Sequence, residues 1–242
     1  MIEIRHEQMD HREAIRQAYD DIYANQGILH RDSFYLWLIN LLKPQAGQTL
    51  VDISCGQGQL VVLARQMGLL GIGLDFSIDG LKKGYLCLPQ SIWAVGDGEC
   101  LPLQDNCTDY VTHIGSLEHY SNPDLGAKEI HRILKHGGKA CILLPNAFGL
   151  LGNIRHVLRT GDVFDDGQPL QRYGTRLFWE SILSINGLKI EKTIGWGEVE
   201  FPRNSQDTIR LIKHPQKFIR YILSPLIPLN LVNHFVFICT RV

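Results

Sequence analysis

The sequence predicts an α/β domain with a doubly wound, mostly parallel sheet and helices on both faces. Two patterns carry that prediction. Short apolar runs alternate with helix-length amphipathic segments along residues 50–144, the order that builds βαβ units. Glycine-rich or acidic residues recur where successive apolar runs stop: Asp52-Ile53-Ser54-Cys55-Gly56-Gln57-Gly58, then Asp75, then Gly96-Asp97-Gly98-Glu99. Sheets of this kind take their ligands beyond the carboxyl ends of the strands.

The elements follow in order. Residues 10–24 read as a helix, with Ala14, Ile15, Ala18, Tyr19, Ile22 and Tyr23 at helical spacing. A second helix is expected from Asp32, a candidate N-cap, to Leu42; it stops before Lys43-Pro44 because the residue preceding proline avoids helical angles. Strands are expected at 50–53, 70–74, 92–95, 110–114 and 139–144, with helices at 59–67 and from the cap Ser77 to about Leu86. Asn122-Pro123-Asp124 opens a further helix, and His136-Gly137-Gly138 is expected to close it. Beyond it, 153–160 and 175–185 read as helices, the latter capped by Asn186-Gly187, and 188–194 and 235–240 as strands.

A length of 242 residues fits one domain with one large core. Within it, 1–44 reads as a helical lid, 45–145 as the ligand-binding core, 146–174 as a candidate insertion or substrate cap, and 175–242 as the C-terminal part of the sheet. The formal net charge of −1 leaves no basic field for tracking phosphates, so a nucleic-acid partner is not expected. The six cysteines form no Cys-x-x-Cys pair and no histidine cluster has ligand spacing, which predicts no metal and a reduced, cytoplasmic setting. The polar N-terminus does not read as a signal peptide. Residues 221–240 carry no Lys, Arg, Asp or Glu, but Pro225, Pro228, Asn230, Asn233 and His234 interrupt any spanning helix. The stretch 218–228, beside Lys217 and Arg220, is expected to pack on the last strand; contact with a membrane surface or a lipid-linked acceptor is the alternative.

Four features converge on one cleft. Glycines in the 52–58 turn let the backbone bend sharply and approach a ligand, and the free N–H groups at the following helix start favour an anion. Asp75, 23 residues beyond Asp52, stands where a carboxylate accepts from both ribose hydroxyls. A carboxylate at Asp97 or Glu99 can accept from an adenine amino group. Gly115-Ser116-Leu117-Glu118-His119 should line the middle of the cleft. Each has a plainer reading as a turn residue, and Asp75 as a cap near Ser77; it is their order at successive strand ends that points to a ligand.

These residues resemble the class I S-adenosylmethionine-dependent methyltransferases, in particular the small-molecule group. Val51-Asp52-Ile53-Ser54-Cys55-Gly56-Gln57-Gly58 is similar to that group's Leu-Asp-x-Gly-Cys-Gly-x-Gly motif, with Ser54 in place of the first loop glycine. Gly96 to Leu103 resembles its Gly-Asp-x-x-x-Leu-Pro-Phe segment, Ser116 to His119 its Leu-Glu-His segment, and Leu134 to Gly138 its Leu-Lys-Pro-Gly-Gly, with His136 for proline. The resemblance covers about residues 45–145. It implies a seven-stranded sheet of order 3-2-1-4-5-7-6 with one antiparallel strand. It also implies S-adenosylmethionine as cofactor, S-adenosylhomocysteine as product, and a small-molecule acceptor. The residues it places on the cofactor are Asp52, Ser54, Cys55, Gly56, Gly58, Asp75, Phe76, Ser77, Asp97, Gly98, Glu99, Gly115 and Ser116.

Methyl transfer from a sulfonium demands alignment and exclusion of water more than a fixed catalytic set. His119 is the candidate general base, because an imidazole titrates near neutrality; its alternative is packing or hydrogen bonding in the cleft. Tyr19 and Tyr23 are candidate lid residues, their alternative being half-buried helix aromatics; Glu118 and Tyr120 are grouped with them as substrate or lid residues, and Glu118 can instead hold a backbone amide or orient the cofactor. His113, inside an apolar strand, reads as structural. Two other functions stay open. A nicotinamide-dependent oxidoreductase is disfavoured by Val61 where the dinucleotide fingerprint needs a small residue; the other is a non-catalytic cofactor-binding module.

Overall fold

The computed structural model describes residues 1–6, 12–25, 27–197, 205–214, 218, 222 and 224–242. The chain opens with β1 (Ile2–Arg5), α1 (Arg12–Asn25) and α2 (Asp32–Leu41). It then alternates through β2 (Thr49–Ile53), α3 (Gln59–Gln66), β3 (Leu70–Asp75), α4 (Ile78–Cys87), β4 (Ile92–Val95), β5 (Thr108–Ile114), α5 (Pro123–Ile133) and β6 (Leu134–Pro145). A π turn at Leu150–Ile154 leads into α6 (Arg155–Thr160), β7 (Leu170–Tyr173), α7 (Arg176–Ile185), β8 (Leu188–Trp196), α8 (Ser205–Lys213) and β9 (His234–Arg241). The start of the first expected helix, 10–11, and part of the apolar stretch 218–228 lie outside the described residues.

Seven strands form one sheet in the order β4-β3-β2-β5-β6-β9-β8, with β9 alone running against its neighbours. That is the order implied by the resemblance. The direction of winding reverses between β2 and β5, so the switch point lies where the Asp52–Gly58 turn leaves β2.

Strand alternation divides the core. Val51, Val111, Ile142 and Phe237 face the side covered by Ile130 of α5 and Trp179 of α7; Leu50, Tyr110, Cys141 and Val236 face the side covered by Leu38 of α2 and Leu63 of α3. Both faces are thereby buried, which explains the near-continuous apolar runs of β2 and β6.

Four expectations change. Asp32 is the first helical residue of α2 and not its cap; its carboxylate accepts from Gln59 Nε2 at 2.6 Å instead. Helix α5 ends at Ile133, before His136, because Leu134 takes extended angles, is fully buried and pairs with Thr108. The cap region holds β7, paired antiparallel with β1 in a second, two-stranded sheet that periodicity did not reveal. The expected packing of 218–228 on the last strand holds at Ile227, which packs on the core that includes Phe235 and Phe237, but not at Phe218, Ile222 and Leu226, which are exposed. All six cysteines are free. No helix among the described residues is long and apolar enough to cross a membrane.

Candidate functional site

The turn after β2 uses three left-handed residues in five positions: Ser54 (φ 56°), Gly56 (φ 54°) and Gly58 (φ 72°). Ser54 therefore occupies a conformation that costs an L-residue about 1–2 kcal/mol, which is why the related pattern carries glycine there. Its hydroxyl is hydrogen-bonded to the Tyr120 hydroxyl at 2.9 Å, and that hydroxyl lies 2.9 Å from His113 Nε2. Tyr120 can reach this position only because residue 98 is glycine: a Cβ there would lie 1.7 Å from its oxygen. Gly58 serves packing, since its Cβ would meet the Trp93 ring at 2.2 Å.

Acidic groups mark the ends of β2, β3 and β4. Asp75 is buried; Oδ2 accepts from the Gly56 amide at 2.7 Å and Oδ1 from the Ser77 amide at 2.8 Å. Each oxygen keeps a lone pair for a hydroxyl donor. Burial pushes the Asp75 pKa up to about 6, against the lowering effect of the Ser77, Gly56 and Phe76 amides. Asp52 accepts from Thr112 Oγ1 at 2.6 Å, and burial raises it to about 7. Asp97 accepts from the Glu99 amide at 2.9 Å and pairs with Arg12 of α1 at 3.0 Å. Helix α1 is also tied to α4: Ser77 Oγ donates to Asp20 at 2.5 Å, and the Asp79 amide donates to the same oxygen at 3.2 Å.

The loop after β5 continues as a 3₁₀ turn, Leu117–His119. His119 Nδ1 donates to the Leu170 carbonyl at 2.5 Å, which puts the proton on Nδ1 and leaves the Nε2 lone pair open. Burial lowers its pKa, so the ring is neutral near pH 7. Nε2 stands 4.0 Å from Oε1 of Glu118, a carboxyl that burial raises to about 8. Arg172 of β7 braces this turn through the carbonyls of Glu118, Tyr120 and Ser121, while its Nε donates to Glu3 of β1 at 2.7 Å. His113 is fully buried and held neutral by burial, matching its structural reading.

One cavity of about 830 Å³ brings these elements together. Tyr19, Tyr23, Asp52, Ser54, Cys55, Gly56, Asp75, Phe76, Asp97, Gly98, Glu99, Gly115, Ser116, Glu118, His119 and Tyr120 line it. Gly58 and Ser77 do not; both act behind the wall, through Trp93 packing and helix capping. Sequence reasoning missed Asn146, Asn153, Gln171 and Asn233, buried amide side chains that line the far half. Asn146 and Asn153 spend their amides on the chain itself, while both amide atoms of Asn233 and Oε1 of Gln171 are buried without a partner, a polar-ligand signal that only the fold exposes. The near half fits an adenosyl group: carboxylates at the ends of β3 and β4, with lone pairs to spare on Asp75, flank a backbone bend. Among the described residues, no three His, Cys, Asp or Glu are grouped to hold a metal ion.

Residues 51–142 match a family model described as a methyltransferase domain. The chain is 27% identical to the ubiquinone/menaquinone biosynthesis C-methyltransferase UbiE of Rubrivivax gelatinosus, over 55% of this chain and 56% of that protein. It is 36% identical to the 2-phytyl-1,4-naphtoquinone methyltransferase of Nostoc punctiforme, over 41% of this chain and 47% of that protein. It thus spans about half the length of the curated relatives it matches. Among solved structures, an S-adenosylmethionine dependent methyltransferase of Mesorhizobium loti superposes with a TM-score of 0.63 at 15% identity, covering 86% of this chain and 98% of that one. The [4+2]-cyclase SpnF superposes at 0.68 with 17% identity, covering 95% and 96%. At such identities these likenesses show the fold.

Proposed function

We propose that this protein, whose residues 51–142 match a methyltransferase-domain model, is a class I S-adenosylmethionine-dependent methyltransferase that transfers a methyl group from S-adenosylmethionine to a small organic acceptor. The observation that carries the reading is the single cavity joining Asp75, Asp97 and the glycine bend to the buried amides of the far half. Asp75 would hold the ribose hydroxyls, the segment Asp97-Gly98-Glu99 the adenine, and the bend of Ser54, Cys55 and Gly56 with Gly115 and Ser116 the amino-acid end. When bound, the cofactor supplies an activated methyl group on a sulfonium sulfur.

The chain's own residues do the rest. Tyr19 and Tyr23 of the 1–44 lid close over the near half and exclude water. Tyr23 packs so closely on Gly56 that a Cβ at Gly56 would lie 2.7 Å from the tyrosine oxygen. His119 Nε2 accepts a proton from the acceptor, and the Leu170 carbonyl keeps the ring in the tautomer that can do so. The 146–174 cap walls the far half, where the acceptor sits. Two relatives are named for quinones, which makes quinone-type rings the first acceptors to test. The six free cysteines fit a reducing cytoplasm.

Calorimetric titration with S-adenosylhomocysteine and with NAD tests the reading. Binding of the first and none of the second is expected. NAD binding with no S-adenosylhomocysteine affinity overturns it.

A further inference from the structure

Among the described residues between β8 and β9, Ile227 and Val232 pack on the core while several other apolar side chains face outward. Ile209, Ile212, Phe218, Ile222, Leu226 and Leu229 are all exposed, with 63% of Ile212 and 74% of Leu226 in contact with solvent. Ile209 and Ile212 are three apart on α8 and so share a side of that helix. Single exposed leucines are ordinary on protein surfaces; six exposed apolar side chains within 21 residues of one connection are a concentration that calls for an apolar partner.

Charge says what. Arg210, Lys213, Lys217 and Arg220 fall within residues 208–220, and no Asp or Glu occurs from Thr208 to the C-terminus. The whole chain carries −1, so this positive charge is local. A second copy of the chain would bring like charge against like charge. An anionic bilayer takes both features at once: apolar side chains enter the headgroup boundary while basic ones meet lipid phosphates.

The surface also adjoins the cavity. The 3₁₀ turn Leu229–Leu231 is fixed to its wall, since Asn146 Nδ2 donates to the Asn230 carbonyl at 2.9 Å, and Asn233 and His234 line the far half. Phe148, two residues beyond Asn146, is exposed as well. We propose that the surface carrying Ile209, Ile212, Ile222, Leu226 and Leu229 docks peripherally on anionic lipid bilayers, which sets the far half of the cavity beside the membrane. Docking itself does not depend on the reaction; delivery of the acceptor from the membrane rests on the methyltransferase reading.

Vesicle flotation of the full chain tests docking. Wild type should float with phosphatidylcholine vesicles containing phosphatidylglycerol and stay in solution with phosphatidylcholine alone. Salt of ~1 M, where the screening length falls to about 3 Å, should weaken flotation. The I209E/I212E variant should lose at least tenfold in vesicle-bound fraction while binding S-adenosylhomocysteine as wild type does. These two positions are exposed, so the variant keeps the core intact. Wild type that stays in solution with anionic vesicles overturns the proposal, as does an I209E/I212E variant that floats equally well. A dimer in sedimentation that I209E/I212E dissolves would assign the surface to a second copy and overturn it too. Loss of S-adenosylhomocysteine binding by wild type would sink the methyltransferase reading while leaving docking to be decided by flotation.

Discussion

Asp75 and Gly56 are joined by a 2.7 Å hydrogen bond from the glycine amide to a buried carboxylate oxygen. The bond ties the end of β3 to the bend after β2, so one side chain both shapes the backbone cradle and faces the cavity. Gly56 is free to take its left-handed angle, and the carboxylate keeps it there.

Asp75→Asn preserves shape and removes charge. Hydrogen bonds to a charged group are worth about 1.5–3 kcal/mol, so affinity for S-adenosylhomocysteine should fall roughly 10- to 150-fold by calorimetry. Burial raises the folded-state pKa from 3.8 to about 6. Ionised Asp75 is the better acceptor, so wild-type affinity should drop on acidification through about pH 6 and the variant should show no such step. Stability runs the other way. The folded state holds a proton that the unfolded chain releases, so the contribution of Asp75 is full below 3.8 and lost as pH rises through about 6. Unchanged affinity in Asp75→Asn would remove this residue from the site.

Ser54 and Tyr120 form a coupled pair. Ser54 bears left-handed strain and regains part of it through the 2.9 Å bond to Tyr120. Tyr120→Phe removes that bond and leaves the strain; a net loss of ~1 kcal/mol predicts about fivefold weaker S-adenosylhomocysteine binding. Ser54→Gly should bind within about threefold of wild type, because lost strain offsets the lost bond. The double variant should show a coupling of roughly 0.5–1 kcal/mol in a four-protein cycle. Strict additivity would show that the two residues do not act together.

Much of this site was legible because it is local. The Asp52–Gly58 bend, Asp75 and Asp97 each sit one element apart, so periodicity places them at neighbouring strand ends. Ser77 was read correctly as a cap, and its hydroxyl accepts from the Gly80 amide at 3.1 Å. The illegible parts are tertiary. Ile2–Arg5 is a four-residue strand whose partner is about 170 residues away, and nothing in its pattern names that partner. Nothing in the sequence singles out Arg172, which is buried and braces the Glu118–Ser121 turn. Asn146 and Asn233 meet only because β6 and β9 pair antiparallel, with Pro145 opposite His234.

Glu118 should govern part of the pH dependence of stability. Burial lifts its carboxyl from 4.5 to about 8, so the folded protein keeps it protonated at pH 7. The stabilising contribution is full below 4.5 and lost as pH rises through about 8. The steepest loss is ~1.4 kcal/mol per pH unit, or roughly 3–5 °C in Tm for a domain of this size. Glu118→Gln imitates the neutral acid and cannot ionise. Melting curves taken from pH 5 to 9 should therefore slope downward more steeply in wild type than in the variant; parallel curves would mean that Glu118 is solvated and ionised.

His119 is the residue whose role in the reaction is most directly testable. The Leu170 carbonyl at 2.5 Å can only accept, so Nδ1 carries the proton and Nε2 presents a lone pair. Burial keeps the ring from charging, which holds it in the form a base requires. With an acceptor in hand, His119→Ala should lower kcat by about 10²- to 10⁴-fold, the usual range for a positioned base, while S-adenosylhomocysteine affinity stays within a few-fold of wild type. His119→Gln separates packing from proton transfer: it fills the space, can still donate to Leu170, and cannot accept the proton as imidazole does. If His119→Gln restores wild-type kcat, the ring serves only to pack and to hold the turn. If both variants are equally slow at neutral pH, and both lose the acid limb of the wild-type pH profile of kcat, the nitrogen at Nε2 is the base.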